Sequence, residues 1–100
     1  YLEASGSAML VYAIAKGVNN GYLQPNLKKV ASKGFNGLIS KLIKVDPNGE
    51  IHITQVCASA GLGGNPYRNG SFEYYISEKI KVDNSHGLGA FLLAAIELDK

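Results

Sequence analysis

One hundred residues hold one small domain at most. The composition, 46% hydrophobic and 18% charged, is that of a folded chain, though one this short buries only a modest share of its surface. Ten basic against eight acidic residues leave a net charge of +2, too small a surplus for nucleic acid as a main partner, since phosphate binders cluster many cations on one surface.

No apolar run reaches the length of a membrane-spanning helix. The single cysteine, Cys57, rules out an internal disulfide and points to a reducing compartment, with the cytoplasm favoured over the periplasm. The chain opens on Tyr1-Leu2-Glu3-Ala4, without an initiator methionine and directly in helical sequence. That opening reads as the interior of a longer protein. Residues 1–100 are therefore expected to be a partial domain without an internal boundary.

The first helix is expected from Ala4 or Ser5. Met9, Leu10, Ala13, Ile14 and Val18 recur at helical spacing, and Asn20-Gly21 supplies a stop. The second begins at Pro25, a good first-turn residue. Its apolar positions Leu27, Val30, Ala31, Gly34, Phe35, Leu38, Ile39, Leu42 and Ile43 form a wide stripe. Lys28, Lys29, Lys33, Lys41 and Lys44 fill a solvated outer face. Asp46-Pro47-Asn48-Gly49 is a turn. Glu50 to Val56 alternates as a short strand, to pair either with Lys44-Val45 or with a later segment. Tyr75-Ile76 and Ile80-Lys81-Val82 read as short extended pieces. Asp83-Asn84-Ser85 caps a last helix over His86–Leu98, with Leu88, Phe91, Leu92, Ala95 and Ile96 on one face.

Between strand and last helix runs Cys57–Glu78, 22 residues without clear helix or strand periodicity. Loops of that length in a small domain are functional or disordered, and this one is too aromatic for disorder. It holds four of the twelve glycines and four of the nine aromatics, with Asn65, Arg68, Asn69, Glu73 and Glu78 among them. Glycines, aromatic rings and planar polar groups are the materials of a sugar-binding surface. The glycines lack the spacing of a nucleotide-binding fingerprint. Three helices and one structured loop enclose a core poorly, and look like part of a larger helical assembly.

Two motifs then coincide. Leu2-Glu3-Ala4-Ser5-Gly6-Ser7-Ala8-Met9 opens a helix, and Gly61-Leu62-Gly63-Gly64-Asn65-Pro66-Tyr67-Arg68-Asn69-Gly70-Ser71-Phe72-Glu73-Tyr74-Tyr75 is followed by Ile76-Ser77-Glu78. With Gly87-Leu88-Gly89-Ala90-Phe91-Leu92-Leu93-Ala94, they resemble the C-terminal part of glycoside hydrolase family 105, the unsaturated rhamnogalacturonyl hydrolases. The resemblance covers essentially the whole chain. It implies a mainly α fold, the C-terminal part of an (α/α)6 toroid: about three helices, a short strand and turn, and a long structured glycine-rich loop.

The activity implied is hydration of the C4–C5 double bond in pectin-derived oligosaccharides that carry a 4,5-unsaturated galacturonyl end, by an aspartate acting as general acid and base. The family needs no metal or organic cofactor. Its catalytic aspartate lies upstream of the matching segment. Asp46, Asp83 and Asp99 sit in no matching context, so the chain alone is expected to be inactive. Its expected partners are the unsaturated oligosaccharide and the remainder of the toroid, with neither nucleic acid nor membrane.

The resemblance makes Glu3, Ser5, Ser7, Gly63, Tyr67 and Arg68 the candidate substrate-binding residues. A helix start suits an anionic sugar, and the family's helix starts face the toroid's pocket; against this, Glu3 or Ser5 can simply cap the first turn. Arg68 can fork onto a uronate carboxylate or pair with Glu73 or Glu78. Tyr67, Tyr74 and Tyr75 can stack on a sugar, though at least two of them are expected to hold the loop down. His52 and His86, 34 positions apart without a carboxylate or cysteine at ligand spacing, do not suggest a metal site. Cys57 reads as a small buried residue. Two alternatives stand beside family 105: an unsaturated glucuronyl hydrolase of the related family 88, and a non-catalytic helical or carbohydrate-binding module.

Overall fold

The computed structural model describes residues 1–100. Its elements run α1 (Ala4–Asn19), a 3-10 turn (Pro25–Leu27), α2 (Lys28–Lys41), β1 (Ile43–Val45), β2 (Ile51–Ile53), β3 (Val56–Cys57), α3 (Phe72–Ser77), β4 (Ile80–Lys81) and α4 (Ser85–Asp99). The three long helices expected from the periodicity are present. Gly21, at φ +78°, ends α1 where Asn20-Gly21 was expected to end it. Pro25 enters α2 through the 3-10 turn.

The strand and the long loop both need correction. The Glu50–Val56 strand is two strands, because Gln55 adopts φ +57° and bends the chain between them. Each half takes one of the two partners left open by the sequence. β2 pairs antiparallel with β1, Val45 opposite Ile51 and Lys44 opposite His52. β3 pairs with β4, Val56 opposite Lys81 and Cys57 opposite Ile80. The long loop, in turn, is not free of helix. Tyr75-Ile76 belongs to α3, which starts where the Ser71 hydroxyl accepts the Tyr74 N–H at 3.1 Å. Six residues are too few to show a helical period.

The core uses the expected face of α2 but only part of those of α1 and α4, where Ile14 and Phe91 pack against it. On α1 the buried side chains are Ala4, Ser5, Ala8, Val11 and Ala15, whereas Met9 and Leu10 face outward. On α4 they are Gly87, Ala90, Ala94 and Glu97, whereas Leu88, Leu92, Leu93 and Ile96 are exposed. Small residues let two helix backbones approach closely, and α1 packs on α4 and α2 along these faces. A Cβ on Gly34 would lie 2.8 Å from Val11 Cγ2. Ala31 and Leu38 carry the buried side of α2, with Leu42 buried just past its end, and Phe35 stacks on Phe91 of α4 with ring centroids 5.2 Å apart. At the far end, Asn19 Nδ2 donates to the buried Glu97 carboxylate at 2.7 Å and to its carbonyl at 2.8 Å. Of the lysines expected to form an outer face, Lys28, Lys29 and Lys33 line a polar surface of α2 with Ser32 and Asn36, whereas Lys44 lies on β1.

The molecule is a slab of 44 × 39 × 19 Å with a radius of gyration of 15.2 Å, larger than the roughly 13 Å of a globule of this length. Only 15 of its 100 residues are buried, so its large apolar side chains are not gathered into one enclosed core.

Candidate functional site

The N-terminus of α1 and the long loop are joined by one side chain. The Glu3 carboxylate accepts the N–H groups of Ser5 (3.1 Å), Gly6 (2.7 Å) and Cys57 (2.8 Å), and the Ser5 hydroxyl at 2.8 and 2.9 Å. It is therefore the N-cap of α1 and, through Cys57, the anchor of the loop's first residue. Partial burial acts to raise the Glu3 pKa. The N–H groups of Gly6 and Cys57, the Ser5 hydroxyl and the Ser5 N–H outweigh it and hold the carboxyl below its ordinary value. The Ser7 hydroxyl donates to the Glu3 carbonyl at 2.6 Å. The free N–H groups offered by the helix start are thus largely taken by the protein's own carboxylate.

Arg68 organises the loop. Its backbone and that of Gly63 exchange two hydrogen bonds, 2.8 and 2.9 Å. Its Nε donates to the Gly63 carbonyl at 3.0 Å and its Nη2 to that of Leu62 at 3.2 Å. No ion pair joins it to Glu73 or Glu78, because the guanidinium lies over glycine backbone instead. A Cβ on Gly61 would stand 2.7 Å from Nη1, and one on Gly64 3.3 Å from Nη2. These two glycines make room for Arg68 itself, while Gly63 and Gly64 turn the chain at φ +71° and +84°. The Tyr74 hydroxyl accepts the Gly61 N–H at 3.3 Å, and Tyr75 stacks on Tyr1 at 6.2 Å. These two tyrosines brace the loop, as expected of at least two of the three. Tyr67 is 77% exposed.

Three hollows adjoin along this loop. Tyr67 and Arg68 line the first, about 480 Å³, with Asn65, Tyr74 and Glu78. Tyr74 also lines the second, about 270 Å³, with Leu62 and Tyr75. Tyr75 continues into the third, about 380 Å³, beside Glu3, Ser5, Cys57 and His86. Ser7 lies apart, in a hollow between α1 and α2 lined by Val11, Gly34 and Leu38. Of the six candidates, Glu3 and Ser5 share one hollow, Tyr67 and Arg68 share another, and Gly63 supplies the turn that presents Arg68. His86 joins Glu3 here without having been expected from its place at a helix start. The His86 Nε2 approaches the Cys57 carbonyl at 2.9 Å, a contact across 29 positions that no local pattern announces.

His52 also differs from expectation, since carboxylates do surround it. Its Nδ1 lies 2.6 Å from Asp83 Oδ2, and its Nε2 lies 3.0 Å from Asp46 Oδ2 and 3.8 Å from Glu50 Oε2. Ligand atoms of Asp46, Glu50 and His52 fall within 4.8 Å of one another. Each ring nitrogen thus faces a carboxylate, and the four side chains form one hydrogen-bonded cluster. The hydrogen bonds from His52 hold the Asp46 and Asp83 carboxyls below their ordinary values.

The sequence model of glycosyl hydrolase family 88 matches residues 1–100. The chain belongs to this family. Among solved structures it is similar to a family 105 glycoside hydrolase of C. acetobutylicum ATCC 824, at 50% identity and a TM-score of 0.96, over 99% of this chain and 28% of that one. Its α-helical slab matches a piece of that enzyme's α/α toroid, as the sequence resemblance implied. It is also 34% identical to protein Atu3128 of Agrobacterium fabrum and to a 24.9 kDa protein in the picA locus of Rhizobium radiobacter. Both alignments cover 97% of this chain and 44% of the relative. This family 88 chain thus spans less than half the length of the curated relatives it matches.

Proposed function

We propose that this chain is the C-terminal part of an unsaturated uronyl hydrolase, with pectin-derived oligosaccharides bearing a 4,5-unsaturated galacturonyl end as its substrates. One observation supports this most: the Gly61–Glu78 loop, rich in sugar-binding groups and braced by Arg68, lies in a chain half identical to a family 105 glycoside hydrolase. In the proposed reaction a proton adds to C4 and water to C5 of the enol ether. The resulting hemiketal opens and releases the next sugar. An aspartate outside these 100 residues acts as general acid and base, so the chain alone is inactive.

The chain's own part is to form one wall of the binding pocket. Arg68 meets the uronate carboxylate with donors left over from its two carbonyl bonds. Tyr67, open to solvent, stacks on a ring. Glu3 and Ser5 shape the floor around Cys57, and Gly63 holds Arg68 in position. Ser7 acts through the helix start rather than on the sugar. The match to the family 88 model favours a second reading, an unsaturated glucuronyl hydrolase acting on glycosaminoglycan fragments through the same wall.

A protein containing this chain and the upstream toroid should remove the ultraviolet absorbance of the conjugated enol ether when given unsaturated pectic disaccharides. Faster loss on unsaturated glycosaminoglycan disaccharides would select the second reading, and persistent absorbance on both would sink the two together. In the active protein, Arg68→Ala should raise KM by about ten- to a hundredfold, the equivalent of losing one charge-assisted hydrogen bond. An unchanged KM would remove Arg68 from the substrate.

A further inference from the structure

The hairpin β1–β2 and the entry to α4 are brought together across 31 positions by His52 and Asp83. Asp83 is firmly seated there. Its N–H donates to the Ile53 carbonyl at 2.8 Å, its Oδ1 accepts the Ile53 N–H at 2.8 Å, and its backbone adopts φ +56°. Asp46 belongs to the hairpin turn, where its Oδ1 accepts the Glu50 N–H at 2.9 Å and its carbonyl the Gly49 N–H at 3.0 Å. The His52 ring lies between these two carboxylates and uses one nitrogen on each.

We propose that His52 is a proton-operated latch: doubly protonated, it ties the Asp46 turn to the α4 entry at Asp83, and loss of one proton releases the turn. The chemistry follows from the donor count. An imidazolium carries two N–H groups and serves both carboxylates, whereas a neutral imidazole carries one. The bare nitrogen then presents its lone pair to a carboxylate oxygen, and the two repel. The contact to Asp83 is the shorter, and Asp83 is fixed on both sides by Ile53, so Nδ1 keeps its proton and the Asp46 side lets go.

The charged groups around the ring are Asp46 and Glu50 on the hairpin, Asp83 before α4, and Lys44, the cross-strand partner of His52 on β1. The carboxylates outnumber the lysine. Consistent with this, hydrogen bonds to Asp83 and then Asp46 push the His52 pKa up to about 9, against a smaller opposing effect of desolvation. A folded-state value above the unfolded 6.5 gives stabilisation that is complete below pH 6.5 and lost as pH rises through about 9. The latch is therefore closed at neutral pH and opens in alkali.

The test is an NMR titration, from pH 6 to pH 10.5, of the full protein that contains this chain, following the His52 ring protons together with the Asp46, Gly49 and Glu50 amides. The expected result is a ring midpoint near 9, with the turn amides shifting at the same midpoint while the Ile53 and Asp83 amides move less. Asp83→Asn should bring the ring midpoint down towards 6.5, and His52→Gln should abolish the alkaline shift of the turn amides. A ring midpoint at or below 6.5 in the wild type, or turn amides that do not follow the ring, would overturn the latch.

Discussion

Glu3→Ala is expected to destabilise the fold by about 3 kcal/mol, read as a drop in the urea midpoint at unchanged slope. Three losses combine. The missing cap on α1 costs about 1 kcal/mol. The missing negative charge at the helix N-terminus costs a further 0.3–1 kcal/mol, roughly. The Cys57 N–H, whose acceptor is the Glu3 carboxylate, is left unpaired beside a buried residue at about 1–3 kcal/mol. Glu3→Gln keeps the reach and loses the charge, so it should cost about half as much.

The pH dependence follows from the sign of the shift. Glu3 titrates lower in the folded state than its ordinary 4.5. Its contribution is therefore present above that value and is lost as pH falls through the folded one. The gap between wild type and Glu3→Gln should accordingly close in acid. A Glu3→Ala protein within 0.5 kcal/mol of wild type, roughly the scatter of ordinary surface substitutions, would show that the four-donor clamp does not hold in solution.

Gly87→Val should cost a comparable amount, about 3 kcal/mol, for a steric reason. A Cβ at position 87 would lie 2.7 Å from Val56 Cγ2 and 3.0 Å from its Cγ1. Val56 is fully buried on β3 and, being β-branched, is stiff at χ1 and yields little space. Overpacking of this kind costs typically 1–3 kcal/mol, and a valine adds two further carbons to the clash. The milder Gly87→Ala permits a double-mutant cycle with Val56→Ala. Each single change should destabilise, and the pair should cost less than their sum by about 1 kcal/mol or more. Strict additivity would mean that position 87 does not face Val56.

The sequence made α1, α2 and α4 legible because each is long enough to show a period and ends on recognisable residues, Asn20-Gly21 and Pro25 among them. It captured only part of the packed faces of α1 and α4, Ile14 and Phe91 among them. An apolar stripe is weighted by large side chains, so Met9, Leu10, Leu88 and Leu92 drew the eye, while the packed sides are drawn in alanine and glycine. The loop was legible as a structured segment, and α3 inside it was not, since six residues display no period. The partners of Arg68 were misjudged because opposite charge suggested Glu73 and Glu78, whereas glycine backbone offered carbonyls closer by. Glu3 was weighed as a possible cap, but its bond to Cys57, 54 positions away, leaves no local trace. The same holds for His52, where Asp46 is close in sequence and Asp83 arrives only through its pairing with Ile53.

The alanine-lined helix faces have a consequence for tolerance to change. In most proteins the largest buried side chains are the least replaceable. Within this chain alanines join them: Ala4, Ala8, Ala15 and Ala94, all at 0% exposure, should reject nearly every larger residue, while the exposed Leu88, Leu92 and Leu93 should accept polar ones. A saturation screen of this chain beside one of a longer protein that contains it would therefore work as a map. Leucines that turn intolerant only in the longer protein would outline, residue by residue, the surface on which the neighbouring helices of the toroid rest.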